Sequence, residues 1–327
     1  MNWNNLFIAW TISISLISCG GAAKIDEAEQ LNLVDQEPLD TLVVAEQVES
    51  ENLIYVDELR QVFDDTSIVL IDFREEDVYN EGHIPRAINI YRKDITITEG
   101  EIRGIVVPKA MLEDLLSRLG VDSSKQLIVY DGRGACEAAR FWWTMNYYGF
   151  TDVKVLNGDY DLWASKAYPI DKEVTSNPTT KFVFPESTIE QYSATKEDVI
   201  KALADTSIII VDTRTIEEYI GVVLKKGAKR QGRIPGSVHL DWANSIHFND
   251  GREFKSLNDL VYDFNNVGIT KDKEVIFYCQ SGTRSAHSVF VLAELLGYKK
   301  VKNYDGSWIE WSHDLELEIE LGSFSVE

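Results

Sequence analysis

Two stretches of this 327-residue chain repeat one another, and the repeat limits the architecture before any single residue is considered. Ser67-Ile68-Val69-Leu70-Ile71-Asp72-Phe73-Arg74 and Ser207-Ile208-Ile209-Ile210-Val211-Asp212-Thr213-Arg214 are short β-branched runs closed by Asp-x-Arg. Such runs suit a strand buried on both faces of a parallel sheet. Glu81-Gly82-His83-Ile84-Pro85-Arg86-Ala87 answers Gln231-Gly232-Arg233-Ile234-Pro235-Gly236-Ser237, with about ten extra residues in the second copy from near Gly221. Next come Gln126-Leu127-Ile128-Val129-Tyr130-Asp131 and Glu274-Val275-Ile276-Phe277-Tyr278-Cys279, and the copies then stay in register at an offset of 148 as far as Trp163 and Trp311. Helical segments from Ala135 to Tyr148 and from Thr283 to Leu296 are each followed by a glycine, Gly149 and Gly297, as a helix C-cap requires. Strands alternating with helices predict an α/β protein of two tandem domains, each a parallel sheet flanked by helices on both faces. The expected boundaries are 53–172 for the first domain, 173–191 for a Pro/Ser/Thr-bearing linker, 192–315 for the second domain and 316–327 for a tail.

The chain is 44% hydrophobic and 26% charged, a globular composition, and its net charge of −22 repels a phosphate backbone, so nucleic acid is excluded as a partner. Three cysteines without a CxxC pair or a Cys/His cluster give neither a disulfide scaffold nor a metal site, and no cofactor is called for. Each cysteine therefore needs its own explanation. The apolar stretch Leu6 to Ile17 is about half the length that crosses a bilayer core of roughly 30 Å. It ends in Leu16-Ile17-Ser18-Cys19-Gly20-Gly21, which resembles the lipobox of bacterial lipoproteins, although no Lys or Arg precedes it. The resemblance implies a signal peptide over 1–18, lipidation of Cys19, and a protein held at the bacterial cell envelope, periplasmic or on the outer surface. Residues 19–52 are acidic and without steady periodicity, and read as a tether.

The informative difference between the copies falls where a buried strand meets a helix, the carboxyl edge at which open α/β sheets bind ligands. Copy two reads Cys279-Gln280-Ser281-Gly282-Thr283-Arg284-Ser285: a thiol at the strand end, then small residues whose N–H groups can turn inward, then a helix N-terminus. A thiolate in such a cradle falls below its free pKa of about 8.5 and becomes a nucleophile. Copy one has Asp131-Gly132-Arg133-Gly134-Ala135-Cys136-Glu137 there. An aspartate cannot take up sulfur, so the first domain is expected to be catalytically silent, with Cys136 a packed structural residue.

These motifs resemble the two-domain rhodaneses across residues 53–315: the paired Asp-x-Arg strands, the Ile-Pro turns, Tyr-Cys-Gln-Ser-Gly-x-Arg-Ser, Trp142-Trp143, and Tyr304-Asp305-Gly306-Ser307-Trp308-x-Glu310-Trp311. The resemblance implies a sulfurtransferase whose Cys279 takes a sulfane sulfur from a small-molecule donor, carries it as a persulfide, and passes it to a thiophilic acceptor such as cyanide or a thiol. The chain departs from the family at Arg86, where a glycine is usual, and at Arg233, where a histidine is usual. Phosphatases and arsenate reductases with related loops follow Cys-x5-Arg, whereas Cys279 to Arg284 is the shorter Cys-x4-Arg, suited to one sulfur atom. No general acid is evident for phosphoryl transfer. A sulfur-carrier or binding module without turnover is the alternative from another class.

For the donor, mercaptopyruvate enzymes of the family carry Cys-Gly-Ser-Gly-Val-Thr and thiosulfate enzymes a more basic Cys-Arg-Lys-Gly-Val-Thr; Cys-Gln-Ser-Gly-Thr-Arg lies between them. The silent-domain Asp and His of mercaptopyruvate enzymes align with Lys93 and Gly104, so that constellation is missing. Thiosulfate is a dianion whose departing sulfite needs positive charge, for which Arg284, Arg92, Lys93 and Arg103 are candidates. Lys225, Lys226, Lys229, Arg230 and Arg233 in the insertion of copy two are expected to add a basic rim, with Arg230 as a further donor-binding candidate. Arg74 and Arg214 read as internal ion pairs, His239 and His287 as residues with ordinary hydrogen bonds, and Trp142, Trp143, Trp163, Trp308 and Trp311 as core or interdomain filling, with the cleft mouth as the other place for Trp308.

Overall fold

The computed structural model describes residues 50–186, 190–249 and 251–322; Cys19 and nearly all of the acidic tether lie outside them. The first half runs β1 (Leu53–Tyr55), α1 (Val56–Val62), β2 (Ile68–Asp72), α2 (Glu76–Glu81), β3 (Ile88–Asn89), a hairpin of β4 (Thr96–Glu99) and β5 (Ile102–Val106), α3 (Lys109–Arg118), β6 (Gln126–Tyr130), α4 (Cys136–Tyr147), β7 (Val153–Asn157) and α5 (Tyr160–Ser165). The second runs β8 (Ser193–Ala194), α6 (Lys196–Ala202), β9 (Ile208–Asp212), α7 (Ile216–Tyr219), β10 (Val238–His239), α8 (Leu257–Asn266), β11 (Glu274–Tyr278), α9 (Thr283–Phe290), β12 (Val301–Tyr304) and α10 (Ser307–His313). Each half builds a five-stranded sheet, β1-β7-β6-β2-β3 and β10-β9-β11-β12-β8, in which every pairing is parallel. The two orders are the same when read through the repeat.

The Asp-x-Arg motifs explain how strand and turn are joined. Arg74 grips Asp72 through Nε and Nη2 (2.9 and 2.5 Å) and also donates to the carbonyl of Gly82 (2.7 Å). Arg214 does the same with Asp212 (2.9 and 2.6 Å) and Gly232 (2.7 Å). Both arginines are thus structural, pinning the Ile-Pro turn to the strand end. The family departures fit the same frame. Arg233 stacks its guanidinium over Tyr219 (4.5 Å) where His83 stacks on Tyr79 (3.8 Å), so one flat cation replaces one flat ring. Arg86 holds φ 68°, matching Gly236 at 69°; a non-glycine residue there carries about 1–2 kcal/mol of strain. Its guanidinium donates to the carbonyls of Phe63 and Asp65 (both 3.1 Å), which offsets part of that cost.

One hydrophobic core runs through both halves. Helices α4 and α9 pack on each other, and Trp142 meets Phe290 edge to face at 5.0 Å. An aromatic pair of this geometry contributes about 0.5–1.5 kcal/mol beyond its buried area. The outer sheet faces close over two smaller cores centred on Trp163 and on Trp308 with Trp311. The segment expected to be a linker is docked along the first domain: Phe182 and Phe184 are buried beside Phe150 and Tyr148, and the Thr180 N–H donates to the Ser117 carbonyl (3.0 Å). Among the described residues no helix is long and apolar enough to cross a membrane.

Candidate active site

Strand β11 lies in the middle of its sheet and delivers Cys279 to the carboxyl edge. The hydroxyl of Ser307 accepts the N–H of Cys279 (3.2 Å) and of Gly282 (3.0 Å) and donates to the Tyr304 carbonyl (2.7 Å), tying both ends of the loop to one point. Ser307 holds φ 52° to do so. The carbonyls of Cys279 and Gln280 turn outward to the N–H groups of Trp308 (3.0 Å) and Ile309 (3.1 Å).

The silent copy shows what the inward N–H groups can hold. The carboxylate of Asp131 accepts the N–H groups of Arg133 (2.8 Å), Ala135 (3.0 Å), Glu137 (2.7 Å) and Ala138 (3.0 Å). Burial pushes its carboxyl up to about 6 against those four bonds, so it is an anion at neutral pH. Through the repeat, the corresponding donors around Cys279 are the N–H groups of Ser281, Thr283 and Ser285, while that of Ala286 donates to the Gly282 carbonyl (3.3 Å).

The thiol of Cys279 is buried, with the Ser285 hydroxyl 3.5 Å from Sγ. Burial pushes it up, but the charge of Arg284, the Ser285 hydroxyl and the N–H groups of Ser285 and Ser281 outweigh that, leaving the thiol below its ordinary value. Cys136, standing where copy two has Arg284, is pushed up to about 12 by burial and stays a thiol. The hydroxyl of Thr283 is buried without a hydrogen-bond partner among the described residues.

Arg284 does not reach toward a donor. It forms a two-pronged pair with Glu218 (2.8 and 3.0 Å), and acts on Cys279 through its charge. Burial raises the Glu218 carboxyl, yet Arg284, with Lys225 and Arg214 nearby, brings it down to about 2.

A pocket of about 460 Å³ opens beside the loop, with Ser281 at one end and the silent domain's Arg92, Lys93, Thr96, Arg103 and Gly104 around it. A Cβ on Gly104, at φ +89°, would stand 2.9 Å from the Ser281 Cβ, so the β4–β5 hairpin rests directly on the active loop. Three of the five expected cations, Arg92, Lys93 and Arg103, are therefore brought together. Arg92 is paired with Glu137 (Nε to Oε2, 2.8 Å) and lies within electrostatic reach of Cys279. Arg103 donates to the Lys226 carbonyl, to which the Gln280 amide also points (3.4 Å). Lys93 is exposed and makes no ion pair among the described residues.

The insertion meets the expectation of a basic rim in part. Lys225, Lys226 and Lys229 are exposed, whereas Arg230 is not part of the pocket: its guanidinium caps the end of α10, donating to the carbonyls of Ser312, Leu317, Trp311 and Asp314 (2.6–3.1 Å). A helix C-terminus draws a cation strongly. Lys225, Lys229 and Arg233 pair with Glu218, Glu101 and Glu320 (3.3, 3.1 and 3.1 Å). The insertion reaches the active loop through the Lys226 carbonyl.

Of its two readings Trp308 takes the core one: it is 1% exposed and stacks on Arg214 (4.7 Å). His239 bonds the Arg214 carbonyl (2.8 Å) as expected, and His287 lies against the backbone of Gly134. It lies buried against Phe254 and Trp242, and burial pushes it down to about 3. Four residues that shape the site carried no sequence signal of their role: Glu218, Glu137, Asp305 and Arg140. Ser307 lay inside a recognised motif, without a function attached.

A parallel sheet repeated in one order, with a cysteine cradle in the second copy only, defines a duplicated sulfur-handling fold, and the chain belongs to the rhodanese family: the rhodanese-like domain matches residues 55–166 and 195–314. Over 290 residues it is 33% identical to a Haloferax volcanii protein named "Putative thiosulfate sulfurtransferase", covering 87% of this chain and 97% of that one. Over 283 residues it is 32% identical to the "Sulfur carrier protein TtuD" of Thermus thermophilus, covering 83% and 97%. An anaerobic ergothioneine biosynthesis enzyme from Chlorobium limicola shares the fold, with a TM-score of 0.77 at 23% identity over 85% of this chain and 72% of that one.

Proposed function

We propose that the protein transfers the sulfane sulfur of thiosulfate, through a persulfide on Cys279, to cyanide or a thiol. The observation that carries this reading is the meeting of an activated, cradled thiol with cations of the other domain beside the same loop. The Cys279 thiolate attacks the outer sulfur of thiosulfate; a new S–S bond forms, the old one breaks, and its electron pair leaves with sulfite. Lys93 and Arg103 face the departing dianion, while the N–H groups of Ser281, Thr283 and Ser285 take the charge of the persulfide, as their counterparts take that of Asp131. An acceptor nucleophile then attacks the outer sulfur and Cys279 returns as thiolate.

Steady-state assays with thiosulfate and with 3-mercaptopyruvate, each with cyanide, test the donor. Thiosulfate is expected to give the higher kcat/KM, and Lys93→Gln with Arg103→Gln to raise its KM roughly tenfold at low salt, since exposed cations each contribute up to about 1 kcal/mol. A higher kcat/KM with 3-mercaptopyruvate would assign the chain to that donor instead. The second reading, a sulfur carrier, is supported by the Thermus relative's name; it predicts one persulfide per chain without turnover.

The envelope location belongs to the same proposal and rests on the Leu16-Ile17-Ser18-Cys19 string. Cys19→Ala is expected to shift the protein out of the membrane fraction. Recovery of an unprocessed Met1 terminus from wild-type membranes would rule the lipid anchor out.

A further inference from the structure

We infer that Arg140, on helix α4 of the silent domain, is a positioning residue that sets the shape of the active loop across the domain boundary. The inference rests on Cys279 as the nucleophile, but not on which donor it serves.

Arg140 is fully buried, a costly place for a guanidinium unless its charge and donors are used. Nη1 pairs with Asp305 (2.5 Å) and donates to the Gly282 carbonyl (3.2 Å), Nη2 donates to the Gly104 carbonyl (3.2 Å), and the group stacks on Trp143 at 4.6 Å. Asp305 also accepts the Val106 N–H (2.9 Å). One side chain of the first domain thereby joins the active loop, the end of β12 and the hairpin that bounds the pocket.

The contact with Gly282 is what turns a domain tie into a catalytic support. A trans peptide is planar, so its carbonyl and the following N–H point in opposite directions. Arg140 (3.2 Å), the Asn303 amide (3.1 Å) and the Ala286 N–H (3.3 Å) together hold the Gly282 carbonyl outward, which turns the Thr283 N–H toward the cradle; Arg140 is the one donor that comes from the other domain. Its silent counterpart, the Ala135 N–H, is the one that binds Asp131 at 3.0 Å. There is little room for the loop to settle otherwise: Gly282 holds φ +77°, and a Cβ on it would stand 2.5 Å from the Asp305 carboxylate and 2.8 Å from Nη1 of Arg140. The arrangement is not mirrored. Through the repeat, Arg140 corresponds to Ser288, a hydroxyl turned to the carbonyl of Arg284 in its own helix (3.5 Å). The silent loop also receives a guanidinium across the boundary, but from Arg252 and at a different peptide, the Gly132 carbonyl (3.1 Å), with Asp159 as its ion-pair partner (2.5 Å).

The test compares full-length Arg140→Lys with wild type. An ammonium can still neutralise Asp305, but lacks the planar fork that reaches the Gly282 and Gly104 carbonyls together. The neutral double variant Arg140→Gln/Asp305→Asn serves if the single variant does not fold. The main readout is the pH midpoint of Cys279 alkylation by iodoacetamide, followed by mass on the Cys279 peptide. It is expected to rise by about one pH unit, with kcat falling roughly tenfold and the donor KM changing less than twofold. A folded variant with lowered thermal stability but an unmoved alkylation midpoint would show a tie only and overturn the proposal. Alkylation does not involve the donor, so a wrong donor assignment leaves this outcome intact. Activity retained by Cys279→Ser would instead refute the reading beneath it.

Discussion

Cys279→Ser is expected to lower sulfur transfer by roughly three orders of magnitude or more, the scale on which loss of a covalent nucleophile acts. A hydroxyl cannot accept a sulfane sulfur as a stable persulfide, and nothing else in the pocket substitutes for it: Cys136 is buried with its thiol pushed up to about 12. Oxygen for sulfur is a small change in volume, so the thermal midpoint should move little. Asp131→Ala is the informative control. It strands the four N–H groups that the carboxylate now satisfies, at about 1–3 kcal/mol for each that water does not reach, yet should leave the rate within twofold. Donor-treated protein should gain one sulfur on the Cys279 peptide; a gain on Cys136 would reverse the assignment.

Glu218→Ala should carry the largest stability cost of any single change at the site. It leaves the Arg284 guanidinium buried without its two-pronged partner, and breaking such a pair typically costs about 3–5 kcal/mol. Glu218→Gln keeps part of the bonding and should cost less. The pH dependence follows from the carboxyl's fall to about 2. A depressed folded-state value means the pair stabilises fully above the ordinary value near 4.5 and is lost as pH falls through the interval down to about 2. The stability gap between wild type and Glu218→Ala, measured by denaturant at pH 7 and again at pH 3.5, should narrow by about 1.4 kcal/mol. A gap independent of pH would mean that Glu218 supports the site by packing alone.

Much of this was legible in the chain because the repeat doubles each signal. Asp-x-Arg, the strand-end cysteine and the shared helix caps are local, and local patterns fix local structure. Arg92, Lys93 and Arg103 were found through the demands of the chemistry, which needs positive charge beside the loop. What could not be read was pairing over long separations. Arg140 and Gly282 meet only after the two halves have packed, and Glu218 with Arg284 and Arg230 with the carbonyls at the end of α10 meet only once distant elements of the second half have closed on one another. Arg230 shows the cost of reading charge by sequence position alone: its guanidinium turns to the carbonyls at and just after the end of α10 instead of to the pocket. The docking of the linker was not legible for a similar reason, since Phe182 and Phe184 are two aromatics in polar company and the groove beside Phe150 and Tyr148 gives them a place to bury.

The single core through both halves has a consequence for how such a protein can change over generations. A descendant that discarded the half without a nucleophile would keep every atom of the Cys279 loop. It would also bare Phe290 and its neighbours on α9, now covered by α4, and strip the Gly282 carbonyl of its donor from the other side. Large bared apolar faces invite aggregation. Duplication followed by loss of the cysteine in one half would therefore work as an evolutionary ratchet: copy one, released from carrying a thiol, could no longer be shed.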